Sequence, residues 1–187
     1  MKPADDIFVL RALRRDEVSA VWSIDRTETV EAMYRLIDGA LVLMPERHDV
    51  GGWPPGEAAH YTPVLEACHD AGGWLHGVFD GATLIAAAVL DGRFVATGDA
   101  RLQLCFLHVG QPFRGRGFGA RLFRLAAAEA RRRGAHGLYV SATPTAHTID
   151  FYRRLGCTPL AEPDPALLAE EPEDIHLGFD LAHRRRD

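Results

Sequence analysis

The sequence predicts an α/β protein with a mixed sheet, and three observations carry this prediction. Apolar runs of strand length alternate with amphipathic stretches of helix length along the chain. Asp80-Gly81 joins two apolar runs, which is a strong hairpin signal. A turn rich in arginine and glycine stands between the apolar run at 102–109 and a long Ala/Leu/Arg helix. Strands and helices are therefore expected to share one core.

Caps and breakers set the bounds of the individual elements. Asp16 is an N-cap candidate for the first helix, Asp38-Gly39 stops the second, and Pro45 closes the short strand that follows the second helix. The predicted helices cover 16–24, 29–37, the stretch from Thr62 to Gly72-Gly73, 118–133 and 145–155. The predicted strands cover 7–13, 40–44, 74–79, 83–90, 102–109, 137–141 and 175–181.

Composition indicates a single ordinary globular domain over residues 1–187. The chain is 47% hydrophobic and 25% charged, which is typical of a protein with a proper core. Its net charge of −5 argues against a non-specific nucleic-acid binder. Its 3 cysteines have wide spacings that match neither a zinc site nor a disulfide framework, so we expect no metal.

Neither a secretory leader nor a membrane segment is expected. Residues 1–6 contain no apolar signal region, and the apolar run at 84–90 is too short to span a bilayer. The sequence therefore favours a cytoplasmic protein of a bacterium-like cell, with no membrane partner.

The turn at 114–120 has the chemistry of a pyrophosphate site. Its glycines let backbone N–H groups converge on an anion, a helix N-terminus adds partial positive charge, and Arg114 and Arg116 add full charges. A P-loop is excluded because no lysine follows the glycines. The dinucleotide fingerprint fits nominally as Gly115-x-Gly117-x-x-Ala120, but the next strand does not end in an acidic residue.

Two linked motifs resemble those of the GNAT N-acetyltransferases. That family's pattern is Gln or Arg, two residues, Gly, one residue, then Gly or Ala, and Arg114, Gly117 and Gly119 match it. Downstream, 151–157 resembles the family's FYxxxGF segment with Cys157 in place of the last Phe. The chain also resembles an uncharacterised bacterial subgroup of this family in four segments, at 24–28, 52–55, 139–144 and 171–176.

The resemblance implies the GNAT fold, with a mixed, mostly antiparallel central sheet flanked by helices. The strand at 102–109 would splay from its parallel neighbour in a V, and acetyl-CoA would enter the gap as co-substrate. Backbone groups of Leu107 and Val109 would bond the pantetheine arm, and an N–H near Val109 would sit at the thioester carbonyl. The cofactor-binding residues that it implies are Leu107, His108, Val109, Arg114, Gly115, Arg116, Gly117, Phe118, Gly119, Ala120, His147 and Tyr152.

The same resemblance supplies one catalytic residue and removes another. Tyr152 matches the tyrosine that commonly protonates the departing thiolate, although its ring could equally pack under the sheet. His147 stands where many members have a cofactor-binding asparagine, or is simply exposed on its helix. The strand positions that carry a base in several relatives are here Gln103 and Cys105, so Gln103 could at best orient a water or the acceptor.

The acyl-CoA half of the domain would cover about 102–160, and the acceptor half about 16–75. In this fold the acceptor site is walled by the region that holds Trp22, Asp25 and Glu28, and Trp53 sits in a Gly/Pro-rich loop of lid-like composition. Asp174 and His176, at the last strand, could approach the acceptor from the other side. The alternatives are helix capping by Asp25 and a structural anchor at Trp53.

The predicted function is acetyl transfer from acetyl-CoA to a primary amine of a small molecule, by direct attack on the thioester. Asp25, Glu28 and Gln103 join Tyr152 as candidate catalytic residues. The alternatives are acetylation of a protein or peptide amine and a non-catalytic acyl-CoA-binding module. No nucleic-acid partner is expected, and a homodimer is possible.

Overall fold

A seven-stranded mixed sheet forms the centre of the protein in the computed structural model, which describes residues 8–96 and 98–181. The strands are β1 (Phe8–Ala12), β2 (Glu28–Ile37), β3 (Ala40–Val50), β4 (Trp74–Asp80), β5 (Thr83–Phe94), β6 (Arg101–Val109), β7 (Gly137–Ala142), β8 (Thr158–Pro159) and β9 (Ile175–Asp180). The central sheet has the order β1-β4-β5-β6-β7-β9-β8, and β2 pairs with β3 in a separate ribbon. Within the central sheet only β6 and β7 run parallel, as far as the described residues go.

Helices cover both faces of the sheet. They are α1 (Glu57–Asp70), α2 (Phe118–Arg132), α3 (Ala146–Leu155) and α4 (Pro165–Glu170), with 3-10 helices at Arg15–Ser23 and Gln111–Phe113. β5 is buried on both sides because Ala86 and Ala88 pack with α2 and α3, whereas Ala87 and Val89 pack with α1 and the first 3-10 helix. None of the helices described here is long and apolar enough to cross a membrane.

The predicted fold class is confirmed, but the helix predicted over 29–37 is wrong. This segment is strand β2, joined to β3 by a two-residue turn at Asp38 and Gly39 with positive φ at both residues. Val30 and Tyr34 are its buried residues. A spacing of four residues satisfies both the helical and the strand period, so the pattern alone could not decide.

Smaller corrections concern where elements begin and end. The first helix is a 3-10 helix that begins after Arg14, so Asp16 is not its N-cap. β3 runs through Pro45, which pairs beside a β-bulge where the ladder is already irregular. α1 begins at Glu57, not at Thr62, and contains Pro63. β8 and α4 were not predicted, and residue 7 of the first predicted strand lies outside the described residues.

Candidate active site

The central sheet opens between its two parallel strands. β6 and β7 pair only from Arg101–Gly137 to Gln103–Tyr139. Beyond that point no described strand pairs with β6 on this side, whereas β7 continues its ladder with β9 as far as Ala142. A bulge at Cys105 adds a residue to β6 here, because Leu104 and Phe106 face consecutive residues of β5. The bulge bends β6 away from β7, and a V-shaped gap results.

The edge of β6 that faces the gap has no strand partner among the described residues beyond Gln103. The Gly110 N–H donates to the Ile85 carbonyl of β5 (2.8 Å). Since direction alternates along a strand, the backbone groups of Leu107 and Val109 point away from β5 and into the gap. An extended ligand could pair with them as an added strand.

The glycine turn ends β6 and begins α2. Gly115 (φ 75°) and Gly117 (φ 85°) adopt left-handed conformations that favour glycine, and no side chain caps the helix at Gly117. The first-turn N–H groups, those of Phe118, Gly119 and Ala120, have no acceptor within the helix. They point out of the helix N-terminus, next to the open gap, where an anion is favoured.

The two arginines of the turn make contacts within the protein. Arg114 folds back: its Nε donates to the Val109 carbonyl (3.2 Å), and its guanidinium lies 3.6 Å from the Glu28 carboxylate. The guanidinium of Arg116 lies over the Phe8 ring, 4.6 Å from its centroid. The structure therefore places Arg114, a predicted anion ligand, and Glu28, a predicted catalytic candidate, in one ion pair beside the turn.

Tyr152 lies on the α2/α3 side of the gap. It is only 6% exposed, and its ring packs against Phe123 and Phe151. Its hydroxyl makes no hydrogen bond to any described residue. Burial raises its pKa above the usual range for tyrosine, and the charge of Asp174 raises it further. The hydroxyl therefore holds its proton at neutral pH and is able to donate it.

Carboxylates from the start of α1 and from the loop before β9 cluster beside the gap, and we call the space between them the acceptor pocket. Glu57 at the start of α1 pairs with Arg26 (3.6 Å). Burial and the neighbouring Glu171 carboxylate raise the pKa of Asp174 to about 6, and burial also raises the pKa of Glu171. Tyr61 of α1 faces the same carboxylates, which reinforce the rise that burial causes in its own pKa. Three carboxylates against one guanidinium give the pocket a negative field.

Both predicted tryptophans anchor the wall of this pocket. The Trp53 indole donates to the Ile24 carbonyl (2.9 Å) and stacks on Phe106. The Trp22 indole donates to the Thr62 hydroxyl (2.8 Å). The Gly/Pro-rich loop is thus fastened to the sheet, as the structural alternative for Trp53 anticipated.

Three other predicted site residues, Asp25, Gln103 and His147, lie where the structure gives them no clear catalytic contact. Asp25 is exposed, and its carboxylate accepts from the Thr27 N–H (2.9 Å) and hydroxyl (2.7 Å), which lowers its pKa. It caps a turn and not a helix, because β2 follows. Gln103 pairs with Tyr139 at the closed end of the gap. His147 is exposed in the first turn of α3.

Two further histidines are held neutral. His108 on β6 packs against Trp53, and burial lowers its pKa to about 3. His176 is 4% exposed, and burial lowers its pKa as well. Its Nδ1 bonds the Tyr139 hydroxyl (2.7 Å), and its buried Nε2 has no hydrogen-bond partner among the described residues.

A family model places the chain among known proteins. The model for the acetyltransferase (GNAT) family matches residues 40–157. The chain belongs to this family. It is therefore an N-acetyltransferase whose acyl donor is acetyl-CoA. No curated protein matches this GNAT sequence.

Solved structures share the whole fold. Nourseothricin acetyltransferase has a TM-score of 0.71 at 21% identity, over 94% of this chain and 99% of that one. A candidate streptothricin acetyltransferase from Bacillus anthracis str. Ames, solved with acetyl coenzyme A, has 0.64 at 14% identity, over 96% and 100%. The ribosomal-protein-S18-alanine N-acetyltransferase from Escherichia coli has 0.57 at 13% identity, over 97% and 99%. These enzymes differ in acceptor, so at such identities the likeness shows the fold alone.

Proposed function

We propose that this GNAT enzyme transfers the acetyl group of acetyl-CoA to a primary amine of a small, cationic molecule. One observation carries the proposal: the gap between β6 and β7 has a protonated tyrosine on one side and a negatively charged pocket on the other. A thioester lying in the gap would meet a proton donor from one face and a cationic amine from the other.

The donor side accommodates the parts of acetyl-CoA in order. The pyrophosphate would bind the free N–H groups at the start of α2. The pantetheine arm would then pair with the backbone of Val109 and Leu107. Because the arm must first span this edge, the thioester would lie towards the bulge at Cys105, deeper than the Val109 N–H that the sequence suggested.

The acceptor side favours a small cation. Glu57, Glu171 and Asp174 outnumber the single guanidinium of Arg26, which would concentrate amines that arrive protonated. The loop fastened by Trp53 walls this side, and a walled site favours a small acceptor over an extended peptide. Nourseothricin acetyltransferase, by its name an enzyme with a small-molecule acceptor, has this fold, so the fold is compatible with an acceptor of this class.

The transfer is direct. The neutral amine nitrogen attacks the thioester carbonyl, the tetrahedral intermediate expels the CoA thiolate, and an amide forms. We assign Tyr152 as the acid that protonates the thiolate. The thiolate needs only modest help to leave, because an ordinary thiol has a pKa of about 8.5. The cytoplasmic location and the homodimer remain predictions of the sequence.

Two measurements test this proposal. Acetyl-CoA should raise the unfolding temperature of the protein, whereas NAD and ATP should not; ligand at about 100 times its Kd adds about 2.7 kcal/mol. Release of CoA is then followed with a panel of nourseothricin, spermidine, L-lysine amide and kanamycin. Stabilisation by acetyl-CoA together with amine-dependent CoA release supports the proposal. Stabilisation without release by any of the four amines contradicts it.

A further inference from the structure

We infer that Asp174 is the general base that removes a proton from the acceptor amine, and that Glu171 tunes it. This inference rests on the proposed function, and it fills the role that Gln103 cannot perform on β6. Three observations support it: the position of Asp174, a buried histidine nitrogen without a partner close to it, and the contacts that occupy the competing bases.

Asp174 lies at the mouth of the gap. It immediately precedes β9, whose first residue, Ile175, pairs with Ala142 at the end of β7. Counted from the Gln103–Tyr139 pair, that end of β7 is level with the part of β6 just beyond the bulge, where the thioester would lie. The Asp174 N–H donates to the Glu171 carbonyl (3.2 Å), so a turn holds both carboxylates in one short loop.

A buried polar atom without a partner points to a missing ligand at this place. The Nε2 atom of His176, two residues after Asp174, is buried and has no hydrogen-bond partner among the described residues. Tyr152, which is 6% exposed, lies within the electrostatic reach of Asp174. Buried polar atoms are usually satisfied, so the His176 nitrogen suggests a site completed by a bound molecule.

The competing bases are each occupied or too weak. Asp25 already accepts two hydrogen bonds from Thr27, and Glu28 is paired with Arg114. Glu57 is paired with Arg26. His108 is a poor base because its pKa is about 3. His176 is also a weak base, because burial lowers its pKa and its Nδ1 is hydrogen-bonded to the Tyr139 hydroxyl.

Every element packed around Asp174 contributes a charged or titratable group. Its own loop brings Glu170 and Glu171, α1 brings Glu57 and Tyr61, the segment before β2 brings Arg26, α3 brings Tyr152, and β9 brings His176. Burial and Glu171 raise the pKa of Asp174 to about 6, and Arg26 opposes them. A carboxylate with this pKa is still ionised at neutral pH but is a stronger base than an ordinary aspartate.

The protons balance as follows. The Asp174 carboxylate takes one proton from the ammonium group, and the neutral amine forms a C–N bond to the thioester carbon. The C–S bond breaks, and Tyr152 gives its proton to the thiolate. The amide nitrogen loses its second proton, which replaces the one lost from Tyr152, and Asp174 releases its own to solvent. The products are the N-acetyl amine, CoA thiol and one proton.

The test compares kcat/KM against pH for each amine of the panel in wild type, Asp174→Asn, Asp174→Glu and Glu171→Gln. Glu173→Gln is the matched control, because Glu173 is an exposed carboxylate in the same loop. We expect Asp174→Asn to lose about 100-fold or more in kcat/KM and to lose the acid limb near pH 6. Asp174→Glu should recover part of the rate, Glu171→Gln should move the acid limb to lower pH, and Glu173→Gln should match wild type.

Distinct results separate the possible failures. If Asp174→Asn raises KM but keeps kcat and the acid limb, Asp174 only attracts the cation and is not the base. If Asp174→Asn no longer gains stability from acetyl-CoA, its rate loss reflects damage to the donor site, and the assignment of a base is overturned. If wild type is stabilised by acetyl-CoA but acetylates no amine, the proposed function fails and the base assignment fails with it.

Discussion

The two sides of the gap bind their ligands with different kinds of groups, main-chain groups on the donor side and charged side chains on the acceptor side. The donor side uses main-chain groups that are contiguous in sequence, namely the β6 edge, the glycine turn and the first turn of α2. The acceptor side uses side-chain charges from separate segments, with Arg26 and Glu57 on one flank and Glu171 and Asp174 on the other. A backbone site binds the same cofactor whatever side chains surround it, whereas a side-chain site can change its acceptor with a few substitutions. The comparison explains how one fold serves unlike acceptors.

The donor side should be broken most completely by bulk at Gly119. A Cβ there would lie 3.3 Å from the Phe151 ring and 3.4 Å from Val109, so a branched side chain would have to enter the gap. We expect Gly119→Leu to abolish the thermal stabilisation by acetyl-CoA. Gly51→Ala, with open space around its Cβ, is the control and should keep it. Full stabilisation in Gly119→Leu would show that acetyl-CoA does not approach this turn.

Removing the Tyr152 hydroxyl should affect chemistry and not binding. Tyr152→Phe keeps the buried ring but lacks the acid, so kcat should fall by about 100-fold while the KM for acetyl-CoA stays near the wild-type value. Tyr139→Phe is the matched control. That variant loses a hydroxyl bonded to His176, which should lower stability and leave kcat largely intact. Unchanged turnover in Tyr152→Phe would refute the assignment of the acid.

The charge balance of the acceptor side should respond to Arg26. The guanidinium lowers the pKa of Asp174, so Arg26→Gln should raise that pKa and move the acid limb of kcat/KM to higher pH. The direction is opposite to that expected for Glu171→Gln. The measurement is the pH profile for spermidine in both variants. Shifts of the same sign would contradict the electrostatic account of the pocket.

The smallest effect concerns stability. The pKa of Asp174 is raised on folding from 3.8 to about 6, so its ionisation destabilises the folded state; this penalty is absent below about pH 4, grows as pH rises to about 6, and is constant above. Asp174→Asn should therefore be more stable than wild type at pH 7.5, by about 1 kcal/mol after allowance for partial exposure, or about 2–4 °C. The difference should vanish at pH 4 in thermal scans. If Asp174→Asn were less stable than wild type at pH 7.5, the claim that ionised Asp174 destabilises the fold would be contradicted.

The donor side could be predicted from the sequence better than the acceptor side, because its parts are contiguous along the chain. The strand, the glycine turn and α2 are local and contiguous, so their fold class and their place beside Tyr152 followed from pattern and resemblance. Glu171 and Asp174 are brought to Glu57 by a loop more than 110 residues away along the chain, and no local period reports such a meeting. Asp174 was named with His176 as a residue that could approach the acceptor, but neither its role as a base nor the part of Glu171 was predicted, although the Glu-Pro-Glu-Asp run before the last strand was a usable signal.

The remaining wrong predictions come from sequence patterns that fit more than one structure or role. The helix predicted over 29–37 failed because Val30 and Tyr34 fit two periods, and only the positive φ at Asp38 and Gly39 distinguishes the hairpin. Asp25 and Glu28 were predicted as catalytic and acceptor-site candidates from their charge. Contacts that sequence cannot show, with Thr27 and Arg114, occupy their carboxylates.

The most direct test of the account is the dependence of CoA release on the charge of the acceptor. Acetyl-CoA is supplied at saturation, and the rate is measured with spermidine and with L-glutamate, a primary amine that carries net negative charge. We expect amine-dependent release of CoA with spermidine and no release with L-glutamate, because three carboxylates face one guanidinium in the pocket. Equal rates with the two amines would contradict the claim that this side of the gap selects a cation.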